Sequence, residues 1–283
     1  MSTPRPSVAD KRRRFQQLHT SGCFVIPNPW DLGGARMLQG LGFEALTSTS
    51  SGFAWSQGHP DNGLSRDAVL QHLADLVAAT DVPVNADFEG GFASDAHGVG
   101  DSVRLAVETG VAGLSIEDST GDASRPLFDI GVAVERLRAA RRAIDQTGGD
   151  TLLVGRAECY LVGRPDLAET IARLQAYANA GADCLYAPGL SRREDIAAVV
   201  AAVAPRPVNL LLLSPSELSL PQIADLGVRR ISVGGALARC AWGGFLKAAQ
   251  ALADPATFSG YVGAASGKTL NAMFLSSGSG SRS

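Results

Sequence analysis

The chain has 283 residues, of which 45% are hydrophobic and 19% are charged, and its formal net charge at pH 7 is −3. This composition is typical of a globular protein with a sizeable core, and the charge gives no reason to expect nucleic acid or an anionic membrane as a partner. No apolar run approaches about 18 residues, the length that a membrane span needs. The cysteines form no C-x-x-C pair, which favours reduced thiols in a cytoplasmic protein. They are Cys23, Cys159, Cys184 and Cys240.

The chain opens with a basic stretch at 11–18, which predicts a helix with a solvated basic face because no signal-type apolar core follows it. Short apolar runs without strict alternation then recur, as expected of strands that are buried on both faces. Amphipathic stretches lie between them, and glycine often ends such a stretch just before the next strand. His19 and His72 are predicted at solvated helix positions. The predicted strands are 23–27, 45–49, 82–87, 113–117, 152–156, 184–187, 207–212 and 230–233.

Eight strands with intervening helices predict an α/β fold, a (β/α)₈ TIM barrel that forms a single domain over 1–275. A doubly wound open sheet is the alternative, but no Gly-x-Gly-x-x-Gly follows the first strand. An additional apolar helix is predicted at 236–252, before Pro255 breaks the pattern. A loop and a short terminal helix follow at 258–275, and we expect this piece to pack on a partner subunit. The Ser/Gly-rich tail at 276–283 predicts disorder.

Two of the predicted strands end in carboxylates, with Asp87 and Glu89 after one and Glu117 and Asp118 at the end of the other. Strand ends converge at the mouth of a barrel, where carboxylates repel one another unless a cation neutralises them. Oxygen ligands with few thiols or imidazoles nearby favour Mg²⁺ or Mn²⁺ over zinc. Asp87 is therefore the strongest candidate for a metal ligand, with Glu89 and Glu117 behind it, whereas Asp118 could instead cap the following loop.

A turn rich in hydroxyls follows the second strand and contains Ser50, Ser51 and Gly52. Such a turn can aim backbone N–H groups at an anion, although an ordinary polar turn has the same composition. Asp61, further along the same connection, is either a turn former or an outer-sphere metal ligand. The sequence leaves both alternatives open.

Arg156 ends the fifth strand, where a guanidinium group suits the bidentate capture of a substrate carboxylate. Arg156 could instead be a charge partner for Glu158 or Glu117. Asn209 is a buried amide within the seventh strand and must find hydrogen-bond partners. No pair of histidines has the spacing of zinc ligands.

With these residues in place, the chain resembles the isocitrate lyase/phosphoenolpyruvate mutase superfamily over about residues 15–252. The motifs are fairly specific as a set and weak singly. They are Pro27-Asn28-Pro29-Trp30-Asp31, Ser50-Ser51-Gly52-Phe53, Pro60-Asp61, Ala86-Asp87-Phe88-Glu89-Gly90-Gly91, Ile116-Glu117-Asp118 and Gly155-Arg156.

The resemblance implies a Mg²⁺-dependent barrel, usually a tetramer, with the eighth helix swapped between subunits. It implies that Asp87 binds the metal directly and that metal-bound waters are held by Asp61, Glu89 and Glu117. The family commonly has aspartate at the position of Glu89. It also implies that the Ser51–Gly52 turn and Arg156 hold the substrate carboxylate. The expected residues are Asp87, Glu89 and Glu117 for the metal, Arg156, Glu117 and Asp61 for catalysis, and Ser50, Ser51, Gly52, Trp30, Arg156 and Asn209 for the substrate.

The segment at 119–129 departs from the family pattern. Isocitrate and methylisocitrate lyases carry a loop with a catalytic cysteine there, and phosphonate-cleaving and mutase members carry a Lys-rich loop with an asparagine. Residues 119–129 contain no Cys, Lys or Asn. This counts against isocitrate cleavage and against phosphorus–carbon chemistry more than against the metal site. We expect a polar gate that closes over the substrate, with Arg125 available to meet an anion.

The sequence therefore predicts a Mg²⁺-dependent lyase, with Mn²⁺ as an alternative metal. It would cleave or decarboxylate a small 2-oxo or 2-hydroxy dicarboxylic acid through a metal-stabilised enolate. Phosphorus–carbon chemistry, as in a mutase or phosphonopyruvate hydrolase, is one alternative, and an inactive barrel that binds an oxo acid is another. The proton donor stays open between a metal-bound water, Asp122 and Tyr160. Expected partners are the small carboxylate and further copies of the chain, as a dimer or tetramer.

Overall fold

A computed structural model describes residues 4–253 and 257–276. Its parallel strands follow the order β1-β8-β7-β6-β5-β4-β3-β2. The gap between β1 and β2, the two ends of this order, is bridged by a hydrogen bond from the Thr47 N–H to the Pro27 carbonyl at 3.0 Å. The predicted barrel is therefore confirmed. The strands are β1 (Phe24–Ile26), β2 (Leu46–Thr47), β3 (Val84–Asp87), β4 (Gly113–Glu117), β5 (Leu152–Arg156), β6 (Cys184–Tyr186), β7 (Val208–Leu211) and β8 (Arg230–Ser232).

Helices connect the strands, and an additional pair follows β8 as expected. None of those within the two described ranges combines the length and apolar character that a bilayer span requires. Pro255 and the tail beyond Ser276 lie outside the described residues. The helices are α1 (Val8–Leu18), α2 (Leu32–Gly40), α3 (Ser50–Ser56), α4 (Arg66–Ala79), α5 (Ala96–Glu108), α6 (Ile130–Gln146), α7 (Leu167–Asn179), α8 (Arg193–Val203), α9 (Leu220–Asp225), α10 (Ala236–Ala253) and α11 (Gly267–Ser276), with a 3₁₀ turn at Ser259–Tyr261.

The main core lies between the sheet and the helices that surround it. Leu114 of β4, Val103 of α5 and Ile144 of α6 are fully buried members of one apolar cluster, and each such side chain contributes about 1.5–3 kcal/mol by its burial. Gly155 lets α7 approach β5 closely, because a Cβ at this position would lie 2.9 Å from the Cβ of Tyr177. The packing holds the strand ends in fixed register and so fixes the side chains that follow them.

Helix α1 does not present the fully solvated basic face that the sequence predicts. Lys11 and Arg12 are buried, whereas Arg13 and Arg14 are exposed. The Lys11 ammonium donates to the Val77 carbonyl at 2.8 Å. Arg12 donates to the Val107 carbonyl in the last turn of α5 and to the Val111 carbonyl just before β4. The prediction is therefore wrong for half of the basic cluster, because these two side chains cap carbonyls at the ends of neighbouring helices and loops.

His19 and His72 also do not occupy the solvated positions predicted for them. His72 is buried and its ring stacks on Phe53 with centroids 3.7 Å apart, and burial lowers its pKa to about 4. His19 is half-buried, with Nδ1 2.7 Å from the Phe15 carbonyl and Nε2 3.5 Å from Arg230 Nη1. Burial, together with the charge of Arg230, lowers the pKa of His19 to about 3. Both imidazoles are therefore held neutral in the folded protein.

We expect the protein to lose stability as the pH falls from about 6.5 towards 4, because both histidines bind protons more readily when unfolded. The slope that two histidines contribute to the free energy of unfolding is at most about 2.7 kcal/mol per pH unit. Urea unfolding at pH 7, 6 and 5 measures it. The His19→Gln/His72→Gln double variant should show a shallower slope, and the control His97→Gln, at an exposed position, should not. An unchanged slope in the double variant would refute this assignment.

Candidate active site

An inner cavity and an outer cleft adjoin each other at the carboxyl ends of the strands. The inner cavity has a volume of about 130 Å³, and an outer cleft of about 700 Å³ lies beside it, with Asp61 bordering both. Glu89 and Glu117 line the outer cleft. The other sequence-predicted residues that reach the inner cavity are Ser50, Ser51, Asp87, Arg156 and Asn209.

The register of the sheet explains why these side chains meet. Asp87, Glu117 and Arg156 are the last residues of β3, β4 and β5. Glu117 pairs directly with Arg156 across the β4–β5 ladder, and Asp87 pairs with Ser115 across the β3–β4 ladder. Because the strands are parallel, their carboxyl ends lie at the same edge, which brings the three charged groups together.

Arg156 lies at the centre of the acids. Its Nη1 is 3.0 Å from Asp87 Oδ1 and 3.3 Å from Glu117 Oε2, and its Nε donates to Glu158 Oε1. The ring of Tyr186, at the end of β6, lies 5.1 Å from the guanidinium carbon. Arg156 is therefore a charge partner of both Glu117 and Glu158, an alternative that the sequence left open. With Asp87, three carboxylates surround this single guanidinium group.

The pKa values of the acids are raised by burial and by one another. Burial raises the pKa of Glu89 to about 7, with the charges of Asp87 and Asp61 adding to the effect. Burial, followed by the charge of Asp87, also raises the pKa of Asp61. Burial raises the pKa of Glu117 well above its usual range, although Arg156 opposes the shift. The site therefore disfavours the charged forms of these acids, which lie around a single guanidinium group.

This donor set fits a hard divalent cation, because it offers several carboxylate oxygens whose charged form a cation would stabilise. Across residues 4–253 and 257–276, no three Asp, Glu, His or Cys side chains are already arranged as a ligand set. Both oxygens of Asp87 have partners, since Oδ2 accepts from the Ser50 N–H at 3.0 Å and Oδ1 accepts from Arg156. Each of these oxygens can accept a further partner, but a cation bound directly by Asp87 would repel the Arg156 guanidinium beside it.

The serine-rich turn forms the start of α3, with Thr49 as its N-cap. Ser50 and Ser51 line the inner cavity, whereas Gly52 and Trp30 do not. The Gly52 N–H already donates to Thr49 Oγ1 at 3.3 Å. A Cβ at Gly52 would lie 3.0 Å from the Trp30 Cβ, so this glycine allows close packing behind the cavity wall.

Two buried amides organise the strand ends. Asn209 accepts from Arg230 Nε at 2.7 Å and donates to Ser232 Oγ at 2.9 Å, which meets the hydrogen-bonding requirement that the sequence raised. Asn28 lies in the Pro27–Asp31 motif that carries the resemblance, but the sequence alone indicated no role of its own for it. Its Oδ1 accepts from the backbone N–H groups of Val233 and Gly234, both at 2.9 Å, and its Nδ2 donates to a carbonyl after β2. The position of this amide between two prolines at the end of β1 was the signal that could have indicated a structural role.

Asp118 belongs to a buried network behind the site and does not line either cavity. Its Oδ1 accepts from the Glu158 N–H at 2.8 Å, and its Oδ2 accepts from Arg173 at 3.0 Å and from the Tyr177 hydroxyl at 2.5 Å. Arg173 also donates to the Phe128 carbonyl at 2.9 Å. Asp118 thus connects Glu158, a partner of Arg156, to the end of the expected gate.

The segment at 119–128 forms a short hairpin-like excursion over the outer cleft. Ser119 and Leu127 form an antiparallel bridge, and residues 121–125 at its tip are exposed. Arg125 pairs with Asp129 at 3.1 Å. Asp122 is exposed and its pKa is lowered by hydrogen bonds from Ser124. A carboxylate with a lowered pKa is a poor proton donor near neutral pH, so the structure argues against Asp122 in that role.

Known proteins resemble the chain over most of its length. The family model of phosphoenolpyruvate phosphomutase matches residues 15–253. The chain is 34% identical to 2-methylisocitrate lyase of Escherichia coli K12 over 158 residues, 54% of this chain and 53% of the lyase. It is 29% identical to oxaloacetate decarboxylase of Paraburkholderia xenovorans LB400 over 235 residues, 80% of this chain and 76% of the decarboxylase. A crystal structure from Burkholderia cenocepacia J2315, provisionally assigned as a lyase/mutase, is 49% identical, with a TM-score of 0.91 and coverage of 95% of this chain and 97% of that chain.

Proposed function

Because this chain belongs to the phosphoenolpyruvate phosphomutase family of the isocitrate lyase/phosphoenolpyruvate mutase superfamily, we propose that it is a Mg²⁺-dependent carbon–carbon lyase. Its substrate would be a small 2-oxo or 2-hydroxy dicarboxylic acid. The observation that carries the proposal is the convergence of Asp61, Asp87, Glu89 and Glu117 around two joined cavities, with Arg156 among them. Two of the named relatives, a lyase and a decarboxylase, support the reaction type.

In this proposal Asp87 is the direct metal ligand, and Asp61, Glu89 and Glu117 hold the cation through water. A bound Mg²⁺ would supply a Lewis acid for the negative charge that develops on the substrate oxygen. The raised pKa values of Glu89 and Asp61 support this assignment, because a cation would favour the charged forms that burial and the neighbouring acids disfavour.

Arg156 would orient the substrate carboxylate once it no longer contacts Asp87. Its bond to Glu158 holds the guanidinium in place, and a planar guanidinium suits two parallel bonds to a carboxylate. Ser50 and Ser51, which also line the inner cavity, would bind the same carboxylate, which supplies orientation. Gly52, Trp30 and Asn209 would keep these walls in position by their packing and hydrogen bonds.

Product analysis tests the reaction type directly. The protein would be incubated with Mg²⁺ and a panel containing oxaloacetate, branched 2-hydroxy dicarboxylates and phosphonopyruvate, and products would be followed by NMR. We expect carbon–carbon cleavage or decarboxylation of at least one diacid, lost in excess EDTA. Phosphate release from phosphonopyruvate would favour the phosphorus–carbon alternative, and binding of oxalate without any turnover would favour the inactive binder.

Metal binding should also be visible as a gain in thermal stability. Mg²⁺ at 100 times its dissociation constant should stabilise the metal-free protein by about 2.7 kcal/mol, because the cation binds the folded state selectively. Differential scanning calorimetry in EDTA and then in excess Mg²⁺ measures the effect. Ca²⁺, which prefers more ligands at longer distances, is the matched control and should stabilise less. An identical melting temperature in EDTA and Mg²⁺ would count against the metal site.

A further inference from the structure

A buried arginine on helix α6 lines the outer cleft. Arg136 is 2% exposed, and within the residues that the structure describes it forms no ion pair. Its Nη1 donates to the Ser94 carbonyl at 2.9 Å and its Nη2 to the Gly90 carbonyl at 2.5 Å. Its guanidinium carbon lies 4.3 Å from the ring centroid of Phe128. Arg136 thus touches both the turn after β3 and the end of the 119–128 segment.

The turn that Arg136 contacts carries Glu89 and has an unusual backbone. Glu89 and Phe92 have φ values of 49° and 54°, in the left-handed region that non-glycine residues rarely adopt. Such residues cost about 1–3 kcal/mol each and persist when their surroundings hold them. The Glu89 carbonyl is held by the Glu117 N–H at 3.0 Å. The two bonds from Arg136 hold the far side of the same turn.

A guanidinium group is an expensive way to fill this space. Burying a guanidinium group that forms no ion pair disfavours the folded state, even though the charge of Asp95 favours its protonated form. An aliphatic residue would serve if packing were sufficient, as at Leu137 and Ala140 of the same helix. The two carbonyls and the aromatic ring compensate the charge in part. The geometry therefore indicates that Arg136 serves as a rigid hydrogen-bond donor to the Gly90 and Ser94 carbonyls.

We propose that Arg136 is a positioning residue that fixes the orientation of Glu89 and couples the Glu89 turn to the gate segment at 119–128. The coupling runs through Phe128, whose N–H donates to the Asp118 carbonyl at 2.9 Å and whose ring stacks on Arg136. The metal-related part of this inference rests on the proposed function, in which Glu89 holds a metal-bound water. Arg136 itself touches neither metal nor substrate.

Amide hydrogen exchange and Mg²⁺ titration calorimetry test the proposal on Arg136→Met and Arg136→Lys. Arg136→Met should exchange at least about tenfold faster in 88–95 and in 119–128, and should bind Mg²⁺ about 10–100-fold more weakly, as expected when support of a metal site is removed. Arg136→Lys keeps the charge and should restore part of both properties. The control Arg138→Met removes an exposed arginine that pairs with Glu135 at 2.7 Å and should change neither.

Wild-type exchange rates in both segments of Arg136→Met, with unchanged Mg²⁺ affinity, would overturn the proposal. If Arg136→Met does not fold, the exchange rates of Arg136→Lys decide. Faster exchange of Arg136→Lys in both segments would support the coupling, and wild-type rates in both would refute it. If the wild-type protein does not bind Mg²⁺, the proposed function is contradicted but the coupling by Arg136 is not. The exchange comparison, made without metal, would still show whether Arg136 holds the two segments.

Discussion

Asp87→Ala should eliminate turnover and Mg²⁺ binding together. Asp87 is the acid that faces the inner cavity from the end of β3, and we propose that it is the direct metal ligand. Loss of such electrostatic stabilisation should lower kcat/KM by at least about 10³-fold. Arg156 would keep its contacts with Glu117 and Glu158, so we expect the fold to persist. Steady-state kinetics and calorimetric Mg²⁺ titration of the same preparation measure both effects.

Two further variants separate the charge of Asp87 from its shape. Asp87→Asn can still accept the Ser50 N–H but lacks the charge, and we expect it to lose Mg²⁺ binding almost as completely as Asp87→Ala. Asp67→Asn changes an exposed acid in the first turn of α4 and should behave like the wild-type protein. Normal Mg²⁺ affinity in Asp87→Ala would show that the cation binds elsewhere.

Asp118→Ala should destabilise the protein by about 3–5 kcal/mol, the usual consequence of removing one partner of a buried ion pair. The change leaves the Arg173 charge with Glu169 alone and removes the acceptor of the Tyr177 hydroxyl. It also removes the acceptor of the Glu158 N–H. Urea unfolding at pH 7 gives the free energy of unfolding for each variant.

The control for Asp118 is an exposed ion pair. Arg104 Nη1 and Glu108 Oε1 lie 2.6 Å apart on the surface of α5. Glu108→Ala should lower the free energy of unfolding by less than about 1 kcal/mol. Asp118→Asn keeps an acceptor for the Glu158 N–H and should fall between wild type and Asp118→Ala. Equal stability of Asp118→Ala and Glu108→Ala would mean that the buried network does not stabilise this part of the barrel.

The sequence predicts the barrel well because its signals are local and repeated. Each predicted strand is found close to its expected bounds, since short apolar runs followed by helical stretches allow few other arrangements. The acids at the ends of β3 and β4 were predictable for the same reason. Once the strands are parallel, Asp87 and Glu117 must lie at one edge of the sheet.

The partners of the charged side chains could not be read from the sequence in the same way. Arg156 had two possible partners or a substrate, and only the register of β4 against β5 places it between Asp87 and Glu117. The burial of Arg136 and Arg173 was missed, although both lie three residues after a buried position on the apolar stripe of α6 or α7. A charged residue within an apolar stripe was the signal that could have identified them.

The most direct test of the central claim is a crystal structure of the protein grown with Mg²⁺ and oxalate. We expect a Mg²⁺ ion about 2.0–2.1 Å from a carboxylate oxygen of Asp87, with Arg156 moved from Asp87 to a carboxylate of the oxalate. An inner cavity without metal, in which Asp87 and Arg156 keep their 3.0 Å contact while Mg²⁺ and oxalate bind elsewhere, would contradict it.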